Sequence, residues 1–337
     1  MGIKYRIDKD ARCAVVGYGS WATAIVKVLL ENEQRVGWYI RRADVIEHIS
    51  RTGHNPRYIP GVKIETSRLD MSDNIDKVVS ESDIVILAVP SAFLQMTLEP
   101  LTVSLEDKFV VSAIKGIIPE GYVTIGEYIN EHYDLPYDQI GIISGPSHSE
   151  EVSQERLSYL TLVCKNIENA TVLCDKFTTP YIIAHPSTDI YGTEYAAVLK
   201  NIYAICAGIA IGLGYGDNFL AVLISNAAIE MNRFLNESYP SERNTSASAY
   251  LGDLLVTAYS RFSRNREFGM MIGRGCSVAQ AQGEMEMVAE GYYAAECIMQ
   301  VNKRFGIEMP ISECVHRILY EGLPADEEIR KIIKRLI

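Results

Sequence analysis

Two hydrophobic periodicities divide the chain. In its first half, short apolar runs rich in β-branched residues alternate with amphipathic helical patterns, which predicts an α/β domain with a mostly parallel sheet and helices on both faces. The run at 84–89 is continuously apolar, as expected of a central strand buried on both sides. The predicted strands are 13–16, 35–40, 84–89, 109–114, 140–144 and 159–164, and the clearest predicted helices are 21–32, 74–82 and 123–132.

After about Pro186 the strand-like runs vanish and long helical patterns take over. The predicted helices there are 190–211, 219–238, 264–273, 290–305 and 311–320. We therefore predict a Rossmann-type domain over 10–186 and an all-α domain over 187–337, with the boundary near His185-Pro186-Ser187.

Composition narrows the class of protein. Apolar residues are 48% and charged residues 22% of 337, which is ordinary for a soluble globular chain. The net charge of −11 disfavours a nucleic-acid or anionic-membrane partner. The uncharged stretch at 201–216 is short for a membrane span of about 20 residues, so we interpret it as a buried helix. Seven scattered cysteines and the lack of an N-terminal apolar core indicate a reduced, cytoplasmic protein without a metal site.

A glycine-rich turn follows the first predicted strand. Residues 13–24 read CAVVGYGSWATA, a GxGxxA form of the dinucleotide-binding fingerprint. Gly17 permits a tight turn, Gly19 lets the backbone approach a pyrophosphate, and Ala22 allows close helix–strand packing. The helix that begins here presents free N–H groups to an anion. The alternative is a structural turn without a ligand.

Two arginines follow the second predicted strand. A site for NAD alone usually places an acidic residue there, whereas the stretch 34–43 contains no acid and carries Arg41-Arg42. Guanidinium groups suit a 2′-phosphate, so we expect NADP to be accepted alongside NAD. The alternative is a pair of solvated arginines before a helix.

Candidate catalytic residues lie at strand ends and in the helical half. Lys115 follows one predicted strand and Gly145-Pro146-Ser147 another; these residues alternatively form surface turns. Lys200 lies deep in an apolar helix, where a lysine is rare unless it is paired or functional. Desolvation would prepare its amine for proton transfer; the alternative is a snorkelling side chain.

A second group of polar residues follows further along the helical half. Ser263 is a good N-cap for a helix that starts with Arg264 and Asn265, so this start is a candidate anion site or a simply capped helix. Asp253 supplies a carboxylate in an apolar segment, either to orient a lysine or substrate or to cap the next turn.

These motifs in this order resemble the bacterial-type NAD(P)-dependent glycerol-3-phosphate dehydrogenases over about residues 13–313. The matching stretches include VVGYGSWATA, NPRYIPG, IKGI, ISGPSHSEEV, LKNIYAICAG, LGDLLVT, SRNREFG and VAEGYYAAE. The resemblance implies reversible hydride transfer between NAD(P)H and dihydroxyacetone phosphate, giving sn-glycerol 3-phosphate for glycerophospholipid synthesis. It also suggests a homodimer.

The resemblance implies residue roles as well. Lys200 matches the proton acceptor, and Lys115 and Asp253 complete the catalytic set. The implied substrate-binding residues are Lys115, Gly145, Ser147, Lys200, Asp253, Ser263, Arg264 and Asn265. The cofactor-binding residues that the resemblance implies are Ser20, Trp21, Arg41, Lys115, Ser149, Arg264, Val288 and Glu290. The glycine turn and the arginine pair add Gly17, Gly19 and Arg42 to the predicted cofactor site.

The chain departs from the family pattern in places. Tyr250 stands where the family has glycine, and the segment 237–248 is unlike the family, so the pocket is expected to differ there. Two other functions remain open: a dehydrogenase of a β-hydroxy acid or keto acid, and a non-catalytic NAD(P)-sensing protein. The anion site at Ser263–Asn265 disfavours the first, and the retention of Lys115 and Lys200 disfavours the second.

Overall fold

In the computed structural model, the described residues are 5–285, 287 and 289–337. They divide into two compact units: residues up to Ile114 with Ile125–Ile190, and Lys115–Thr124 with Tyr191–Ile337. The predicted boundary at 186/187 falls inside a strand, and the segment 115–124, predicted within the first domain, groups with the second unit.

The first unit is built on one eight-stranded sheet. Its order is β3-β2-β1-β4-β5-β6-β7-β8, and all neighbouring strands are parallel except β6 and β7. The strands are β1 Cys13–Val16, β2 Val36–Tyr39, β3 Leu69–Ser72, β4 Ile84–Leu87, β5 Phe109–Ser112, β6 Ile140–Ser144, β7 Ser158–Cys164 and β8 Ile182–Ser187. The mostly parallel α/β sheet is therefore confirmed.

Helices cover this sheet. They are α1 Ser20–Asn32, α2 Ala43–Thr52, α3 Ile75–Ser80, α4 Leu94–Leu98, α5 Ile125–Tyr133, α6 Ser149–Ser153 and α7 Ile167–Phe177. Every residue of β4 is at most 1% exposed, so both faces are covered at the centre of the sheet. Alternate residues of β1, β4 and β7 join the buried side chains of α1 and α7 in one core.

Strands β3 and β8 were not predicted, because neither has the buried, β-branched pattern of a central strand. β3 reads LDMS at one edge of the sheet, and its Asp70 pairs with Arg12 and Arg35. β8 reads IIAHPS at the other edge and contains Pro186. Proline is tolerated in an edge strand because no ladder partner needs its missing N–H. The change in composition at Pro186 therefore falls within the last strand of the sheet.

The second unit is helical, as predicted. Its elements are α8 Ile190–Gly212, α9 Asp217–Ser238, a π-helical turn Ser248–Gly252, α10 Asp253–Tyr259, α11 Arg264–Gly273, α12 Val278–Glu284, α13 Glu290–Asn302, α14 Pro310–Tyr320 and α15 Ala325–Ile333. Helix α8 is long and apolar enough to cross a membrane. However, 89% of the most apolar stretch of this helix is buried inside the protein. It is the central core helix of this unit.

Candidate active site

The turn between β1 and α1 has the shape that a dinucleotide requires. Gly17 has a φ of +115°, and a Cβ there would lie 2.5 Å from the Ala88 carbonyl oxygen. Gly19 is the N-cap of α1, and a Cβ there would meet nothing within 4 Å, so the backbone faces open space. A pyrophosphate can therefore approach the turn and the start of a 13-residue helix. The residues present fit the predicted cofactor.

Two further predicted cofactor residues open α1. Ser20 is its first residue, and Trp21 follows it. The Trp21 indole Nε1 is buried and has no hydrogen-bond partner within the described residues, so it is available to an acceptor on a ligand.

The two arginines after β2 differ in their surroundings. The Arg42 guanidinium pairs with Asp44, with Nη2 2.7 Å from Oδ2, and this pairing lowers the pKa of the Asp44 carboxyl. Arg41 is exposed and forms no ion pair with any described residue. Both arginines were predicted to bind the cofactor, and Arg41 is the one whose charge is available to a 2′-phosphate.

Two lysines share one buried carboxylate in the second unit. Lys200 Nζ on α8 lies 2.5 Å from Asp253 Oδ1 at the start of α10, and Lys115 Nζ lies 3.3 Å from Asp253 Oδ2. The side chains of Lys200, Asp253 and Lys115 are 5%, 1% and 18% exposed. Lys200 is thus a paired, buried lysine, and its amine does not snorkel to water. Asp253 begins its helix and also joins the two lysines.

Burial and charge together tune this cluster. Burial lowers the pKa of Lys200 to about 7; the Lys115 ammonium acts in the same direction, and Asp253 opposes both. Burial favours the neutral form of Asp253, but the charges of Lys115 and Lys200 outweigh it and lower its pKa. The carboxylate therefore stays ionised near neutral pH, while Lys200 can give up or take a proton.

The Asn201 carboxamide extends this cluster, and the sequence analysis did not identify it. Its Nδ2 donates to the Lys115 carbonyl oxygen at 2.7 Å, and its Oδ1 accepts from Asn265 Nδ2 at 2.9 Å. Asn265 Oδ1 in turn accepts from the Gly291 N–H at the start of α13. The only signal in the sequence was a second polar residue beside Lys200 in an apolar helix. Since most of the Asn265 carboxamide is engaged internally, phosphate binding by this residue would rely mainly on its backbone N–H.

The start of α11 is a capped helix N-terminus. Ser263 is 3% exposed and accepts a hydrogen bond from the Arg266 N–H, so it acts as the N-cap. Arg264 is the first residue of the helix and is exposed, which suits an anion contact. A Cβ on Gly269 of α11 would lie 2.1 Å from the Ile205 carbonyl oxygen of α8. This close packing of the backbones holds the α11 start in place relative to α8 and its Lys200.

The remaining predicted residues are distributed over both units. In the first unit, Gly145 has a φ of +102°, accepts from Ser147 Oγ at 3.0 Å, and lies in the turn after β6; Ser149 begins α6. In the second unit, Glu290 begins α13. Val288 lies outside the described residues.

Tyr250, which departs from the family pattern, is a buried residue. It is 6% exposed and belongs to the core of the second unit, in the π-helical turn that leads into Asp253. Such turns are frequent near functional sites. This turn sets the start of α10 and therefore the position of the Asp253 carboxylate.

Fold and site together define a class of protein. The first six strands follow the order 3-2-1-4-5-6 of dinucleotide-binding sheets, with the glycine turn after β1. The helical unit adds a lysine–carboxylate cluster suited to proton transfer. These features are those of a nucleotide-dependent dehydrogenase with a helical second domain.

Comparison with known proteins identifies the family. The N-terminal model of NAD-dependent glycerol-3-phosphate dehydrogenase matches residues 12–170, and the C-terminal model matches 189–330. The chain is 34% identical to the glycerol-3-phosphate dehydrogenase (NAD(P)+) of Chlorobium phaeobacteroides, covering 96% of this chain and 97% of that one. It is also 34% identical to that of Bacillus subtilis, covering 96% and 94%.

A solved structure agrees with this result. The glycerol-3-phosphate dehydrogenase of Coxiella burnetii superposes with a TM-score of 0.88 at 27% identity, covering 97% of this chain and 99% of that one. The chain therefore belongs to the NAD-dependent glycerol-3-phosphate dehydrogenase family, and the resemblance seen in its motifs is confirmed.

Proposed function

We propose that this chain catalyses reversible hydride transfer between NADPH or NADH and dihydroxyacetone phosphate, giving sn-glycerol 3-phosphate. The observation that carries the proposal is the Lys200–Asp253–Lys115 cluster, with Lys200 and Asp253 buried, in a chain of this family. Burying an ammonium group and a carboxylate is costly, so the retention of this pair favours a catalytic use.

Lys200 is the proposed proton donor and acceptor. Reducing a ketone places negative charge on its oxygen, and an adjacent ammonium both stabilises that charge and donates the proton. In the oxidation direction the neutral amine takes the proton of the alcohol. A pKa of about 7 leaves both protonation states of Lys200 accessible near neutral pH. Asp253 orients the amine, and Lys115 contributes a second positive charge for the developing oxyanion.

The substrate phosphate is assigned to the start of α11. The exposed Arg264 guanidinium and the first N–H groups of the helix supply charge-assisted hydrogen bonds to phosphate. Binding energy from this remote group orients the carbonyl for reaction.

The cofactor is assigned to the first unit, as the prediction for residues 10–186 implies. The turn at Gly17 and Gly19 would hold the pyrophosphate, and Arg41 the 2′-phosphate of NADP. The bound nicotinamide supplies or accepts the hydride. We further propose a cytoplasmic homodimer whose product feeds glycerophospholipid synthesis. Light scattering of the purified protein in solution tests the dimer.

A coupled pair of measurements tests the activity. Purified protein with NADPH or NADH should oxidise the reduced nicotinamide only when dihydroxyacetone phosphate is present. The same assay with a keto acid, such as ketopantoate, should give no turnover. Turnover with the keto acid alone would reassign the substrate, and nucleotide binding without turnover on any of these compounds would favour a sensor.

A further inference from the structure

We propose that Asn55 is a positioning residue for the pyrophosphate of the nicotinamide cofactor. Its buried carboxamide holds the turn at 17–19 so that backbone N–H groups face the phosphates. This inference rests on the proposed function, since it assumes that the turn binds NAD(P). It assigns a task to the NPRYIPG segment, which the catalytic proposal leaves unused.

Each carbonyl of the turn accepts a hydrogen bond from a fully buried side chain. Trp38 Nε1 donates to the Gly17 oxygen at 2.7 Å. Asn55 Nδ2 donates to the Tyr18 oxygen at 2.9 Å. Thr23 Oγ1 donates to the Gly19 oxygen at 2.9 Å. The three donors come from β2, from the loop after α2 and from α1, and each donor residue is 0% exposed. The turn is therefore fixed from three sides.

The carbonyl directions determine where the amides point. In a planar trans peptide the C=O and the following N–H point in opposite directions. Because the Gly17 and Tyr18 carbonyls point inward to their donors, the N–H groups of Tyr18 and Gly19 point away from them. Neither amide has a hydrogen-bond partner within the described ranges. These two donors lie immediately before α1, where a helix N-terminus favours an anion.

Every hydrogen-bonding group of the Asn55 side chain is used within the protein. Its second Nδ2 hydrogen donates to Thr23 Oγ1 at 2.9 Å, so one carboxamide bridges two of the three contacts. Its Oδ1 accepts from the N–H groups of Arg57 and Tyr58 at 3.0 and 3.2 Å. The Tyr58 ring also packs edge-on against Tyr18, with centroids 5.8 Å apart. All four hydrogen-bonding positions of the carboxamide are therefore satisfied within the protein.

The replacement Asn55→Asp tests the proposal with an isosteric side chain. A carboxylate keeps the acceptor for the Arg57 and Tyr58 amides but places an oxygen, in place of the NH2, against the Tyr18 carbonyl. We expect the Kd of the full-length protein for NADPH and for NADH, measured by calorimetry, to rise at least about tenfold, because a buried acceptor loses its donor. With both substrates saturating, kcat should stay within about twofold of wild type, since Lys200 and Asp253 are untouched.

Asn169→Asp is the matched control. Asn169 is also a buried asparagine of the first unit, 1% exposed, and its carboxamide bridges two backbone groups, the Ile7 N–H and the Tyr5 carbonyl. Both replacements leave a buried carbonyl without its donor, so both should lower the melting temperature. Asn169→Asp should nevertheless leave the Kd for both nucleotides unchanged. If the control raises the Kd equally, the effect of Asn55→Asp is one of general stability and the proposal is wrong.

Trp38→Phe provides a second route if Asn55→Asp does not fold. It removes the donor to the Gly17 carbonyl together with part of a buried ring, and it should raise the Kd severalfold without changing the KM for dihydroxyacetone phosphate. The inference is overturned if a folded Asn55→Asp variant binds both nucleotides as wild type does. If Asn55→Asp does not fold, the same result with a folded Trp38→Phe variant overturns it. Wild-type protein that binds nucleotide but does not turn over contradicts the proposed function alone; wild-type protein that binds neither nucleotide contradicts both.

Discussion

Replacing Asp253 with asparagine perturbs the proposed catalytic cluster with little change in shape. The carboxylate lies 2.5 Å from Lys200 Nζ and 3.3 Å from Lys115 Nζ, and it is the negative charge that both lysines share. Asp253→Asn leaves two ammonium groups facing a neutral amide inside the protein. The pKa of Lys200, already lowered to about 7 by burial, must fall further because the opposing effect of Asp253 is lost.

The magnitude follows from the burial of the pair. An opposite charge within about 4–6 Å changes a pKa by about 1–3. Loss of the Asp253 carboxylate should therefore lower the pKa of Lys200 by about two, which corresponds to about 3 kcal/mol on the Lys200 amine. Reduction of the ketone requires the ammonium form. Above pH 7 the protonated fraction, and with it kcat/KM for reduction, should therefore fall about a hundredfold relative to wild type.

The assay is the pH profile of kcat/KM for dihydroxyacetone phosphate, followed by the absorbance of the reduced nicotinamide. In wild type, the profile should decline as the pH rises through about 7, because Lys200 loses its proton. In Asp253→Asn, the decline should move to lower pH. Asp217→Asn is the control, because Asp217 also begins a helix, α9, but is exposed. An Asp253→Asn profile that declines at the wild-type pH would refute the reasoning.

Three further predictions concern the cofactor, the packing and the stability. Arg41→Ala should raise the KM for NADPH more than that for NADH, whereas Arg42→Ala, whose guanidinium is held by a carboxylate, should change the ratio less; an unchanged preference in Arg41→Ala would remove the assignment. Gly269→Ala should lower the free energy of unfolding by about 1–3 kcal/mol, because its Cβ would lie 2.1 Å from a carbonyl oxygen of α8. The control is Gly283→Ala, whose Cβ would meet nothing within 4 Å and which should lower the free energy of unfolding little or not at all. Equal losses in the two variants would contradict the packing argument. Burial raises the pKa of Glu230 to about 7, so this carboxyl ionises more easily in the unfolded chain, and the free energy of unfolding should fall as the pH rises from 4.5 to about 7. Denaturant curves of Glu230→Gln should show a smaller fall over this pH range. The same pH dependence in Glu230→Gln and wild type would contradict this prediction.

The sequence predicted the central strands of the sheet but not its two edge strands. Central strands such as β4 were predictable because burial on both faces leaves a continuous apolar run. The edge strands β3 and β8 were missed because one reads as polar and the other contains Pro186. Their place in the sheet depends on pairing with a neighbour, which is a tertiary property.

The candidate site shows the same division. Lys200 was identified because a charge in an apolar helix needs an explanation. Asp253 was predicted either to orient a lysine or substrate or to cap the next turn, and the sequence did not decide between these roles, because Lys200 and Asp253 lie on different helices and only packing brings them together. Asn55 and Asn201 were missed as positioning residues because buried carboxamides leave no periodic signal, and their roles depend on which backbone groups lie opposite them.

The most direct test of the central claim is the turnover of dihydroxyacetone phosphate by wild type and Lys200→Ala, with nucleotide binding measured on the same samples. We predict that wild type oxidises NADPH or NADH in a substrate-dependent reaction. Lys200→Ala should lose at least about a hundredfold in kcat while its Kd for the nucleotide stays close to wild type. Absence of turnover by wild type with both nucleotides, or full activity in Lys200→Ala, would contradict the account.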